Sequence, residues 1–165
     1  LIKNQLFATL DTTTKKIRLN NKYDVLISDT VGFLDNLPHN LIASFRSTLS
    51  EIEDADLIIK LIDISSDNIQ RHIETINETL ELLNARDKKS IIVFNKIDKI
   101  KNKSIFTQIN KKYDNPLLVS SVNNLKINNL INCIVDIIET NMNTYNINFF
   151  AERLEVSYIL VPFYI

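Results

Sequence analysis

The chain has 165 residues, 45% apolar and 24% charged, which suffices for one domain around one core and is too polar for a membrane protein. Nineteen Lys and Arg against twenty Asp and Glu leave a net charge of −1, which argues against holding DNA or RNA by bulk charge and leaves only a local basic face open. The single cysteine, Cys133, cannot close an internal disulfide and fits a reducing, cytoplasmic setting; no secretory signal opens the chain, and its longest apolar runs, Leu57–Ile64 and Ser157–Ile165, fall short of the roughly 20 residues that span a bilayer.

In chain order, Lys15–Leu19 and Tyr23–Ser28 read as strands joined through Asn20-Asn21-Lys22, because Asn accepts the left-handed backbone of a tight hairpin turn. Leu41, Ile42, Phe45, Leu49 and Ile52 have helical spacing. Leu57–Ile64 is a nearly continuous apolar run of strand length, as expected of a strand covered on both faces. Ile69, Ile73, Ile76, Leu80 and Leu83 place one apolar stripe on a helix. Ser90–Phe94 is a second buried strand, Ile105–Tyr113 a short helix, and Leu117–Ser120 a strand introduced by Pro116. Ile127, Leu130, Ile131, Ile134, Ile137 and Ile138 form a last amphipathic helix. Strands alternating with helices predict an α/β fold, a mostly parallel sheet with helices on both faces.

Three polar signatures sit where predicted strands end, which is where a parallel sheet gathers its chemistry. They are Asp29-Thr30-Val31-Gly32, Asn95-Lys96-Ile97-Asp98 and Val119-Ser120-Ser121. The composition is skewed, with 21 Asn, 26 Ile and one Gly, so motif matches must be weighed against it. With 14 Lys and 12 Asp, chance supplies roughly 0.13 copies of N-K-x-D and about 0.07 of D-x-x-G in a chain of this length. Both together, in order and at strand ends, are not a product of composition. The one glycine is the one that D-x-x-G requires.

These signatures resemble the guanine-nucleotide motifs of P-loop GTPases: D-x-x-G of the second switch, N-K-x-D of the base site, and the S-A loop. The text from Leu6 to Asp11 and Thr12-Thr13 resembles the first switch of the HflX family of bacterial ribosome-associated GTPases. Asp29–Leu34 with Leu37-Pro38-His39, Phe45–Leu49 and Phe94–Asp98 are similar to that family as well, over roughly Leu6 to Thr140. The Leu6–Asp11 text favours HflX over an Obg-like or tRNA-modification GTPase. The resemblance implies GTP or GDP as ligand, Mg²⁺ as cofactor and the large ribosomal subunit as partner. Phe7, Ala8, Thr9, Leu10 and Asp11 would line the nucleotide, with Thr9 on Mg²⁺. Asp29 would hold the metal's shell through water, Thr30 and Val31 would follow it, and the Gly32 N–H would meet the γ-phosphate. Asp98 would accept the guanine N1–H and amine, a pair adenine does not offer. Asn95 would brace the loop, the Lys96 stem would cover the base, and Ile97 would belong to the same nucleotide site. Ser120 and Ser121, the latter where the family prefers Ala, would offer backbone N–H groups to the guanine carbonyl. Phe33 follows Gly32 where many GTPases carry glutamine, so no side chain is assigned as catalytic base.

Phosphate is ordinarily cradled by G-x-x-x-x-G-K-S/T at the start of a helix, which a chain with one glycine cannot contain. In the family that loop and the strand before it lie upstream, and this chain begins at Leu1 with its only Met at position 142. The reading is therefore a partial G domain over residues 1–142, lacking the first strand and P-loop, with residues 143–165 as the start of a further element. Without the first strand, strands 23–28 and 57–64 would flank a vacancy of about 9–10 Å or collapse together. Nucleotide binding by the chain as it stands is expected to be weak. A non-enzymatic remnant that binds a partner is the alternative of a different class. Taken singly, Asn95–Asp98 also reads as a helix-capping turn, Asp29–Gly32 as a strand exit, Asp11–Thr14 as a Thr-type turn and Ser120-Ser121 as an N-cap. His39 and His72 read as solvated and Cys133 as core.

Overall fold

The computed structural model describes residues 13–30, 52, 54–145 and 157–162. The segment Phe7–Asp11, the residues Val31 to Phe33, and the helix expected over 41–52 lie outside the described residues, except for Ile52, which is buried.

β1 (Thr13–Leu19) and β2 (Tyr23–Thr30) form an antiparallel hairpin with Leu19 opposite Tyr23. Its turn depends on two consecutive left-handed residues, Asn20 at φ 48° and Asn21 at φ 54°, closed by the Lys22 N–H donating to the Leu19 carbonyl at 2.9 Å. Asparagine is the residue that enters this region most readily after glycine, so the turn forms without one. Lys22 Nζ and Tyr23 Oη both donate to Glu139 Oε1, at 3.0 and 2.7 Å, which ties the hairpin to the last helix.

β3 (Leu57–Asp63), β4 (Ser90–Asn95) and β5 (Leu117–Leu118) follow, all parallel, with α1 (Ile69–Leu82) between β3 and β4, α2 (Ser104–Lys112) between β4 and β5, and α3 (Ile127–Tyr145) after β5. Every sequence-predicted element within the described residues is present, although β5 is shorter than expected. The apolar strand runs divide by alternation. Ile58, Ile62 and Phe94 pack with Ile73, Ile76 and Leu80 of α1 and Ile109 of α2, whereas Leu57, Ile59 and Val93 pack with Ile134, Val135 and Ile138 of α3. Two faces are covered, which explains why β3 reads as continuous apolar sequence. Lys60 interrupts that run; its ammonium reaches Asn77 Oδ1 on α1 at 2.9 Å, and burial lowers its pKa. α1 ends on Asn84 at φ 54°, with Asn84 N–H on Glu81 and Ala85 N–H on Leu80, a left-handed cap again made without glycine. His72, expected to be solvated, is instead buried on α1 at 9% exposure, because it falls next to Ile73 on the helix's inner side. Cys133 is half-buried on α3.

The sheet order is β1-β2-β6-β3-β4-β5. β6 (Ser157–Pro162) lies between β2 and β3 and runs parallel to both, in register from Val25 opposite Ser157 to Thr30 opposite Pro162, and with Leu57 and Ile58 opposite Ile159 and Leu160. The sequence predicted a vacancy or a collapse at this place. Neither occurs: two facing strands present unsatisfied N–H and C=O groups, and Ser157–Pro162 pairs with β2 along its length and with Leu57 and Ile58 of β3. Ile159 pairs across both neighbours, so an Ile159→Pro substitution removes a ladder donor from the sheet's centre. It is expected to cost about 2 kcal/mol or more in urea unfolding. A variant with the midpoint and slope of the parent chain would place β6 outside the sheet.

Candidate functional site

Parallel strands deliver their C-terminal ends to one edge of the sheet. β3 and β4 end level, Asp63 opposite Asn95. Asp29 on β2 is opposite Val161 of β6 and, continuing across that strand, level with Ile59. It therefore lies four positions short of Asp63 along the strand direction, about 13 Å at the strand rise.

The loop after β4 is organised by one side chain. Asn95 Oδ1 accepts the Lys96 N–H at 2.8 Å and the Ser121 N–H at 3.0 Å, while Asn95 Nδ2 donates to Ser121 Oγ at 3.1 Å. These bonds join the β4 exit to the β5 exit. Lys96 takes the left-handed conformation, φ 66° and ψ 34°, which turns the chain sharply out of the strand. A short 3₁₀ turn, Ile97–Lys99, follows, with the Ile97 N–H on the Val119 carbonyl at 3.2 Å. Asp98 is exposed, and its Oδ1 accepts the hydroxyl of the fully buried Ser120. One carboxylate oxygen is thus held from behind, while Oδ2 and a remaining lone pair of Oδ1 stay available to a ligand.

Asn95, Lys96, Ile97, Asp98, Ser120 and Ser121 are brought together. One expected role does not match this geometry. The N–H groups of Ser120 and Ser121, assigned to the guanine carbonyl, are engaged within the protein, Ser120 on the Leu125 carbonyl at 3.1 Å and Ser121 on Asn95. The reason is the bridge between Ser120 and Leu125, which folds the loop back on itself through left-handed Asn124 and Lys126. In this arrangement Ser120 acts through its hydroxyl, on Asp98 and on the Asn123 N–H at 3.2 Å.

Sequence reasoning missed Asp63. Its Oδ2 lies 2.7 Å from Lys96 Nζ, and its Oδ1 accepts the Ser65 N–H at 2.8 Å and the Ser65 hydroxyl at 2.6 Å. Burial alone would raise this carboxyl's pKa, but the Lys96 ammonium and the two Ser65 bonds outweigh it and hold it below the ordinary 3.8. The signal was available, since Asp63 is the polar residue that ends an apolar strand, as Asn95 is for β4. Asp29 behaves oppositely: burial raises its carboxyl pKa above 3.8, and Lys15 offsets this only in part. Thr30 completes β2, while Phe7 to Asp11, Val31 and Gly32 lie outside the described residues.

No group of three or more His, Cys, Asp or Glu side chains among the described residues is placed to hold a metal ion. Mg²⁺ does not require one, because it is commonly held by one or two hard oxygen ligands together with phosphate and water. The Asp29 carboxylate, an exposed hard oxygen donor near the end of β2, fits that role. No helix among the described residues is long and apolar enough to cross a membrane.

The family described as 50S ribosome-binding GTPase matches residues 1–96. GTPase HflX of Flavobacterium psychrophilum is 46% identical over 104 residues, 63% of this chain and 25% of the relative. GTPase HflX of Akkermansia muciniphila is 49% identical over 98 residues, 59% of this chain and 22% of the relative. GTPase HflX of Methanocaldococcus jannaschii is 37% identical over 147 residues, 86% of this chain and 36% of the relative. The chain thus spans about a quarter to a third of the length of these relatives. Among solved structures, Era in complex with MgGDPNP and a 16S ribosomal RNA segment superposes with a TM-score of 0.59 at 21% identity, over 78% of this chain and 44% of that one. This likeness establishes the GTPase fold alone.

Two outcomes follow from the loop geometry. Asn95→Ala removes the acceptor of the Lys96 and Ser121 N–H groups, which water can partly replace at this exposed place, and is expected to cost about 0.5–1.5 kcal/mol in urea unfolding. Because the folded Asp63 pKa is depressed, its stabilisation is complete above pH 3.8 and is lost as pH falls through the folded value. Acid unfolding followed by circular dichroism is expected to show a loss below that pH that is blunted in Asp63→Asn; matching acid limbs would remove the pairing from the stability balance.

Proposed function

Since the chain belongs to the 50S ribosome-binding GTPase family and is an HflX-type GTPase by its relatives, we propose that the loops after β4 and β5 bind the guanine ring of GTP or GDP. The observation that carries this reading is the Asn95 clamp, which sets Asp98, Lys96 and Ser120 at one place on the sheet edge. Asp98 accepts the guanine N1–H and exocyclic amine. Adenine presents no such donor pair and would leave the carboxylate unsatisfied, and a site built on such a pair discriminates by about 10⁴–10⁵. Ser120 holds the carboxylate in place, and Asn95 holds both loops.

By the family resemblance, Asp29 and Thr9 would hold Mg²⁺, and the Gly32 N–H would serve the γ-phosphate. Bound Mg²⁺ supplies charge neutralisation at the phosphates. In this reading the two switches report nucleotide state to the large ribosomal subunit in the cytoplasm. Phe33 can neither position water nor take its proton, so intrinsic hydrolysis is slow unless a partner supplies the missing group. One observation favours a second reading, a non-hydrolysing module that binds a partner: β6 already occupies the sheet's central position, so this chain closes its sheet without a P-loop strand.

Titration with fluorescent N-methylanthraniloyl GDP and its ADP counterpart tests the guanine reading. Weak but guanine-selective binding is expected, and Asp98→Asn is expected to reverse the preference from guanine to xanthine nucleotide. Equal affinity for GDP and ADP, or no reversal in Asp98→Asn, would remove the base-site assignment.

A further inference from the structure

We propose that Asp63, on the strand next to the base loop, is a positioning residue that anchors the Lys96 ammonium so that the Lys96 stem is held as a preformed apolar cover for the purine; the proposal rests on the guanine reading above. The link is built from both ends. At the backbone, Lys96 is fixed in its left-handed conformation, with its N–H on Asn95 Oδ1 at 2.8 Å. At the tip, its ammonium lies 2.7 Å from Asp63 Oδ2. Four methylenes are thus stretched between two fixed points, across the gap between paired strand ends.

The anchor is itself held. Ser65 donates two bonds to Asp63 Oδ1, at 2.8 Å from its N–H and 2.6 Å from its hydroxyl, so the other oxygen stays turned to Lys96. The following residue is tied to the same place, the Ile64 N–H donating to the Asn95 carbonyl at 3.0 Å. The Asp63 side chain is 20% exposed and that of Lys96 37%, so water screens the pair less than it would a surface pair. An unanchored lysine samples many rotamers and must be ordered at each binding event, whereas an anchored one has lost that freedom beforehand. Ordering one such side chain is worth about two- to twelvefold in affinity. Asp63 makes no contact with the base in this scheme. It therefore sets affinity for any purine nucleotide the loop covers, and leaves the choice between guanine and adenine to Asp98.

The test has two arms on the full chain. In the absence of nucleotide, amine acetylation followed by mass spectrometry is expected to label Lys96 about two- to fivefold faster in Asp63→Asn than in the parent chain. With fluorescent N-methylanthraniloyl GDP at low ionic strength, Asp63→Asn is expected to weaken binding about two- to twelvefold with the GDP-to-ADP ratio unchanged. The same substitution is expected to add nothing in a Lys96→Met background, an outcome that a merely structural role for Asp63 would not give. Should Asp63→Asn fail to fold, Asp63→Ser, which keeps a short polar side chain beside Ser65, carries both arms. Unchanged Lys96 labelling overturns the anchor. Unchanged GDP affinity in a chain that binds GDP, or an equal loss in the Lys96→Met background, overturns the positioning role. A parent chain that binds no guanine nucleotide overturns the guanine reading instead, and the positioning role falls with it.

Discussion

The hydrogen bonds of the Asn95 carboxamide are the interaction on which the geometry of the loops after β4 and β5 depends. A parallel ladder brings β4 and β5 to the same edge but leaves their exits free to diverge, because nothing in strand pairing orders the residues beyond the last bridge. Asn95 offers an acceptor to one exit and an acceptor and a donor to the other, so the two loops become one unit. Aspartate would lack the donor, and serine would lack the reach to serve both. Once the exits are joined, the buried Ser120 hydroxyl faces Asp98, and Lys96 turns across to β3. The site is thus assembled from short local bonds on a frame that strand pairing has already fixed.

The chain's asparagine bias has a structural outlet in the same places. Asn20, Asn21, Asn84, Asn115 and Asn124 all have positive φ, between 45° and 57°, at a hairpin turn, a helix end and loop corners. Glycine ordinarily takes such positions at no steric cost, and asparagine takes them at a modest one, offset by local side-chain bonding. Replacing glycine with asparagine also restricts the unfolded chain, so the net effect on stability is smaller than the folded strain alone suggests. Lys96 and Lys126 have no such excuse, and their positive φ values, 66° and 56°, fall at the two loops that build the site.

Much of this was legible in the sequence. Helical stripes such as Ile69–Leu83 and continuous runs such as Leu57–Ile64 gave element type and order, because burial on two faces leaves a strong periodic signal. Strand ends gave the candidate residues Asn95–Asp98 and Ser120-Ser121, which the structure brings together at one sheet edge. Two things were not legible, and a third was legible but passed over. Asp63 is the one passed over, a polar residue at the end of an apolar strand. The engagement of the Ser120 and Ser121 N–H groups depends on a bridge to Leu125, which no periodicity announces. The placement of Ser157–Pro162 is a long-range pairing, and an apolar strand carries no mark of which edge it will join. His72 misled for a related reason, since histidine tolerates both water and a helix's inner side.

The pairing of β6 also sets a schedule. Val25 and Ser157 are neighbours in the sheet yet roughly 130 residues apart along the chain, and contacts of that separation are the slowest to form. During synthesis from the N-terminal end, the hairpin and the β3–β4–β5 unit emerge long before the strand that joins them. Among the described residues, Ser157–Pro162 is the strand that pairs with both β2 and β3, so their shared ladder waits on the segment that is made last of the three.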